Sequence, residues 1–106
     1  MDALRQQRIQ ALKDMLIQNE KDVFALYGLA LEYKALGELD AALPLLRKVV
    51  VLDPEQLYAY YQLGEILNAQ GEEDDAIPIL EEGLAHARRL GNVKAINELQ
   101  ALLDMI

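Results

Sequence analysis

The only histidine, His86, and the acidic run Glu72–Asp75 are the residues whose types could support chemistry. A histidine among carboxylates can move protons or hold a metal. Neither role is expected here. His86 falls near the end of a helical stretch, in line with Leu52 34 residues earlier, and reads as an ordinary helix residue. Glu72, Glu73, Asp74 and Asp75 open a helix. There the macrodipole stabilises negative charge by ~0.3–1 kcal/mol each. Consecutive side chains also point in different directions around a helix, so the four carboxylates do not converge. Serine, threonine and cysteine are absent altogether. That removes the usual hydroxyl and thiol nucleophiles, Ser/Thr phosphorylation, disulfides and thiolate metal sites. No glycine loop suited to cradling phosphate is present. The chain reads as a binding protein and not an enzyme, with no catalytic residue, no metal and no cofactor.

Elements that bind must be held in place, and composition allows it. The chain has 106 residues, 53% of them hydrophobic, enough for a single domain with a real core. Its formal charge is −8, and residues 55–91 alone carry −6. Such a surface repels phosphate backbones and anionic lipid, so neither nucleic acid nor membrane is an expected partner. The longest unbroken hydrophobic runs, Val23 to Tyr27 and Leu57 to Tyr61, are far too short to cross a bilayer. The first fifteen residues are polar and charged and lack the apolar block of a signal peptide. A cytoplasmic protein is expected.

The stretches GELDAALPLL and GEEDDAIPIL begin at Gly37 and Gly71, 34 residues apart. The same shift aligns Tyr27 with Tyr61, Leu29 with Leu63, Ala42 with Ala76 and Pro44 with Pro78. Within each copy the apolar spacing is helical. Leu26, Leu29, Ala30 and Tyr33 make one stripe, and Tyr60, Leu63, Gly64 and Leu67 its counterpart. A second helix follows each glycine, with Ala42, Leu46, Val49 and Val50 matching Ala76, Leu80, Gly83 and Leu84. Gly37 and Gly71 suit the left-handed turn that ends the first helix of each pair. Small residues at 30, 42, 64 and 76 mark where two helices approach closely. Pro44 and Pro78 fall on the side away from the core. If Asp40 and Asp74 cap their helices, each proline removes only the first hydrogen bond. If the helices begin a turn earlier, each proline bends its helix around the core. Asp53–Gln56, DPEQ, reads as a helix start with an aspartate cap and proline at the first position.

These residues resemble the tetratricopeptide repeat, whose pattern is W-x2-L-G-x2-Y, A-x3-F and P. One copy shows Leu26-x2-Leu29-Ala30-x2-Tyr33, Ala42-x3-Leu46 and Pro54. The other shows Tyr60-x2-Leu63-Gly64-x2-Leu67 and Ala76-x3-Leu80, with Arg88 where the final proline belongs. The whole chain is similar to short, stand-alone bacterial members of that family. The resemblance implies an all-α fold, an α–α superhelix of about six antiparallel helices. Residues 2–18 form a lone half-repeat helix, 23–56 and 57–90 are full repeats, and 93–105 is a capping helix. In it Ile96, Leu99 and Leu103 echo Tyr60, Leu63 and Leu67 at a shift of 36.

Once the core is assigned, Phe24, Tyr27, Leu31 and Lys34 are left over on the first helix of one copy. Tyr58, Tyr61, Glu65 and Asn68 are left over on the other. The resemblance places this face along a concave groove that holds peptides or helices. Exposed aromatics anchor interfaces because they bury large area at little entropic cost. The alternative is that these rings act as spacers between neighbouring helices. The family's basic clamp for a C-terminal carboxylate is not matched, because the corresponding places hold Tyr27, Leu31 and Gln62. An apolar or aromatic-contacting segment of a protein or peptide is the expected partner. A rival expectation comes from Ile96, Leu99, Leu102, Leu103, Met105 and Ile106, which spread apolar character over more than one face of the last helix. That excess, with the partnerless first helix, suits a homo-oligomer such as a homodimer built through the terminal helices.

Overall fold

The computed structural model describes residues 2–106. They form six α-helices, with no strand among the described residues. The chain divides into two compact units, Met1–Leu52 and Asp53–Ile106.

The first unit holds α1 (Ala3–Gln18), α2 (Val23–Ala35) and α3 (Leu39–Leu52). With no serine or threonine available, aspartate caps the first two. Asp2 Oδ1 accepts from the Leu4 and Arg5 amides at 3.0 and 3.3 Å, and Asp22 Oδ1 from the Ala25 amide at 3.1 Å. α2 packs against both α1 and α3. Its buried stripe, Leu26, Leu29 and Ala30, belongs to the same core as Ala42, Leu46 and Val49 of α3. The main packing partner of α1 is α2. It buries Ile9 alone, while Leu12, Met15 and Leu16 stay half-buried.

The second unit holds α4 (Leu57–Ala69), α5 (Glu73–Leu90) and α6 (Val93–Asp104). α4 packs against α5 and α6. The α4–α5 crossing is close. A Cβ on Gly64 would stand 2.3 Å from Leu80 Cδ2, and one on Gly83 would stand 2.5 Å from Tyr60 Cβ. Tyr60 is wholly buried, and its hydroxyl donates to the Pro54 carbonyl at 3.1 Å. α6 is capped by Asn92, whose Oδ1 accepts from the Ala95 amide at 3.0 Å. It buries Ala95, Leu99 and Leu102 and leaves Ile96 and Leu103 half-buried.

Gly37 and Gly71 adopt φ of 76° and 77°, the left-handed conformation their spacing predicts. In both turns the following amide reaches back six residues' span, Glu38 to the Tyr33 carbonyl and Glu72 to that of Leu67, closing the helix end.

Of the two alternatives for the helices that hold Pro44 and Pro78, the earlier start is the one observed, and the expectation for DPEQ is corrected. Asp40 and Asp74 are not caps. The Glu38 and Glu72 carbonyls accept the first helical amides, from Ala42 and Ala76, at 3.2 and 3.0 Å. The aspartates instead sit in the first turn, where the helix dipole favours them. Pro44 and Pro78 therefore lie inside their helices, each facing solvent. The DPEQ stretch is a turn and not a helix start. Asp53 accepts the Glu55 amide through Oδ1 at 3.1 Å and the Gln56 amide through its carbonyl at 3.1 Å, and α4 begins only at Leu57. The turn leaves the Pro54 carbonyl open to the buried Tyr60 hydroxyl. A helix running through Pro54 would tie that carbonyl into its own ladder.

Candidate functional site

In the first unit, α1 and α2 diverge around an apolar slot of about 420 Å³. Ala11, Leu12 and Met15 form one wall, and Phe24, Gly28 and Leu31 the other. The slot exists because a glycine stands where the helices cross. A Cβ on Gly28 would come within 3.2 Å of Leu12 Cδ2. Phe24 is 72% exposed at the mouth, an unusual placement for a phenylalanine.

Charge closes one end of the slot. Glu32 accepts from Arg5 Nη1 at 2.5 Å and from Arg8 Nε at 2.8 Å. The hydrogen bond from Arg8 is the main reason the Glu32 carboxyl is held below its ordinary range, and the charges of Arg8 and Arg5 add to it. The same bond raises Arg8. The slot is thus an apolar trough ending in a fixed ion cluster.

The structure divides the sequence-predicted residues of α2 between two lines. Phe24 and Leu31 line the slot, whereas Tyr27 and Lys34, both half-buried, are not among its lining residues. On α4, Tyr58, Tyr61, Gln62, Glu65 and Asn68 are all half-buried. Burial pushes the Tyr61 hydroxyl up, with further contributions from the carboxylates of Glu65 and Glu98. None of the four rings singled out from the sequence belongs to the core.

A second cavity, about 450 Å³, opens between α5 and α6. Ile77, Leu84 and Leu103 line it together with Glu81, Arg88 and Asp104. The sequence did not place Leu12, Met15, Gly28 or Ile77 in a binding site. The usable signal was Gly28 itself, because a glycine in a helix interior costs roughly 1 kcal/mol relative to alanine and calls for a packing reason.

His86 lies with its ring 5.7 Å from that of Tyr60 and its Nδ1 3.2 Å from Arg89 Nη2. The Glu72–Asp75 run occupies the start of α5. Among the described residues no three His, Cys, Asp or Glu side chains gather as a metal site would require. Among the described residues no helix is long and apolar enough to cross a membrane.

The tetratricopeptide repeat family model matches residues 33–103. A tetratricopeptide repeat domain protein from Salinibacter ruber, solved as a crystal structure, is 34% identical. The match covers 77% of this chain and 91% of that one, with a TM-score of 0.73. A protein of Bordetella parapertussis, solved in solution, is 32% identical over 99% of this chain and 88% of that one, with a TM-score of 0.79. MamA, at 22% identity, covers 96% of this chain and 66% of its own and shares the fold at a TM-score of 0.72. No curated protein matches the chain.

Proposed function

We propose a polypeptide-binding role, from the premise that this chain belongs to the tetratricopeptide repeat family. That fold generally serves as a protein-interaction scaffold. The finer reading concerns where a partner is held. A partner segment lies in the α1–α2 slot, against Phe24 and Leu31, with Tyr27 and Lys34 beside it on α2. In the second unit the corresponding face of α4, bearing Tyr58, Tyr61, Gln62, Glu65 and Asn68, is a contact surface in its own right.

One observation carries this reading. Phe24 is exposed at the mouth of an apolar trough instead of being folded into it. Covering such a ring and its trough removes apolar surface from water at about 25 cal/mol per Å². A rigid aromatic adds that gain with little entropic cost. The ion cluster at Glu32 sets a polar limit to the trough, so an apolar segment with a polar or charged end fits best.

The test uses the full chain and a random-peptide display library. Peptides selected on the unmodified protein are expected to lose at least ~10-fold in affinity for Phe24→Ala combined with Leu31→Ala, the scale of a lost aromatic anchor. Tyr27→Ala combined with Tyr61→Ala tests the remaining rings in the same assay. Circular dichroism should show unchanged helix content in both. Unchanged affinity in both double variants would refute the reading.

A further inference from the structure

The geometry points to a head-to-tail joint between copies of this chain, in which α6 of one copy lies in the α1–α2 slot of the next. It rests on the reading above, that the slot holds a polypeptide segment, and names the segment.

The two terminal helices are complementary halves of one repeat pair. α1 carries the pattern of a second helix, since Leu12 and Met15 stand 68 residues, or two periods, before Leu80 and Gly83. α6 carries the pattern of a first helix, since Ile96 and Gln100 stand 36 residues after Tyr60 and Gly64. Within the α4–α5 pair, Gly64 faces Leu80 and Tyr60 faces Gly83. Carried over to the terminal helices, the same antiparallel register sets Gln100 opposite Leu12 and Ile96 opposite Met15. One turn further on, Asp104 meets Arg8. Tyrosine against glycine becomes isoleucine against methionine, so that contact is filled from both sides. Leucine against glycine becomes leucine against glutamine, which is bulkier, so the joint sits wider than the α4–α5 crossing and dissociates more readily.

Both faces are incompletely covered within the chain. Leu12 and Met15 on α1 and Ile96 and Leu103 on α6 are all half-buried, and Met105 is 78% exposed. The same docking lays α1 of the second copy over the α5–α6 cavity, so one joint fills both cavities. Charge favours this pairing over like with like. Arg5 and Arg8 together exceed the Glu32 they share by one positive charge, and α1 adds Lys13 against Asp14, while α6 carries Glu98 and Asp104 against Lys94. Two α1 helices, or two α6 helices, would set like charges together. Because each copy offers two different faces, the joint is heterologous and propagates until it closes on itself or is capped.

Sedimentation velocity over a concentration series of the full chain tests this. The unmodified protein should shift from monomer to larger species as concentration rises. Met15→Glu and Leu103→Glu should each be monomeric alone, with unchanged circular dichroism. Mixed together they should form a 1:1 dimer and nothing larger, because the mixture keeps one intact α6 face and one intact slot. Ala11→Glu and Ile96→Glu replace them if either loses its helical signal. A strict monomer at every concentration, or either variant pairing with itself, overturns the joint. If the monomer still captures library peptides that Phe24→Ala and Leu31→Ala release, the slot reading stands and only the identity of its occupant is wrong.

Discussion

The two units carry the same repeat but are finished differently. Residues 1–52 hold seven cations and seven carboxylates, so the whole net charge of −8 lies in residues 53–106. The second unit crosses its helices through two glycines, Gly64 against Leu80 and Gly83 against Tyr60. The first has Ala30 and Val49 at those places, and its glycine, Gly28, stands instead at the edge of an open slot. Leu4, Ile17, Phe24, Leu36 and Val51 are large apolar residues left exposed in the first unit, against Leu90, Val93 and Met105 in the second. The second unit thus joins a close α4–α5 crossing to the whole of the net charge. Neutrality, exposed apolar side chains and a half-filled trough suit the first to contact. One repeat motif thus yields either a close helix crossing or an open slot, depending on where its glycines fall.

Alanine at equivalent-looking glycines breaks this comparison most sharply. Gly83→Ala forces a methyl against Tyr60 Cβ, which lies next to the backbone of a fully buried residue and cannot yield. The expected net cost, after the gain in helix propensity, is roughly 2 kcal/mol, measured as a lowered denaturant midpoint.

Tyr60→Phe tests the second unit next. It leaves the Pro54 carbonyl without its hydroxyl partner and should cost about 1 kcal/mol. The pH dependence is more telling. Burial, with help from Glu82 and Asp53, pushes the Tyr60 hydroxyl from its ordinary value of 10 up to about 12. A raised folded-state value means that the unfolded chain releases this proton first. The contribution is therefore present below pH 10 and lost as pH rises to about 12. Thermal melts of Tyr60→Phe should fall less steeply across that window than those of the unmodified chain. Parallel slopes would show that the hydroxyl does not titrate as described.

The smallest effect is expected in the first unit, and with the opposite sign. Gly28→Ala meets only the end of Leu12, a half-buried side chain with room to move. The gain in helix propensity should prevail and stabilise the protein by roughly 0.5 kcal/mol. A loss as large as that of Gly83→Ala would erase the distinction between an open slot and a closed crossing.

Much of the fold was legible in the residue order. A 34-residue period, helical phase and glycines placed for left-handed turns are local properties, and each is set by the chain's own sterics. They sufficed for the helix pairs, for Gly37 and Gly71, and for the stripes Leu26–Leu29–Ala30 and Leu80–Gly83–Leu84. Helix starts were less legible. With no serine or threonine, the capping signal at Asp40, Asp53 and Asp74 is ambiguous between a cap, a turn and a first-turn carboxylate. Backbone amides four residues on from Glu38 and Glu72, at Ala42 and Ala76, settle two of these starts, and the buried Tyr60 hydroxyl on the Pro54 carbonyl accompanies the turn at the third.

The residue types alone determined that this chain folds as paired helices, lacks the usual serine, threonine or cysteine nucleophile and leaves Phe24 and three tyrosines outside its core. Only tertiary structure decided that α1 and α2 part around a trough, that Gly28 and Leu12 shape it, and that Glu32 gathers Arg5 and Arg8 at its end. The reason is physical. Periodicity fixes which face of a helix is apolar, but whether that face is covered depends on the distance to a neighbour, and that distance is set by pairs of side chains that no single stretch of sequence contains.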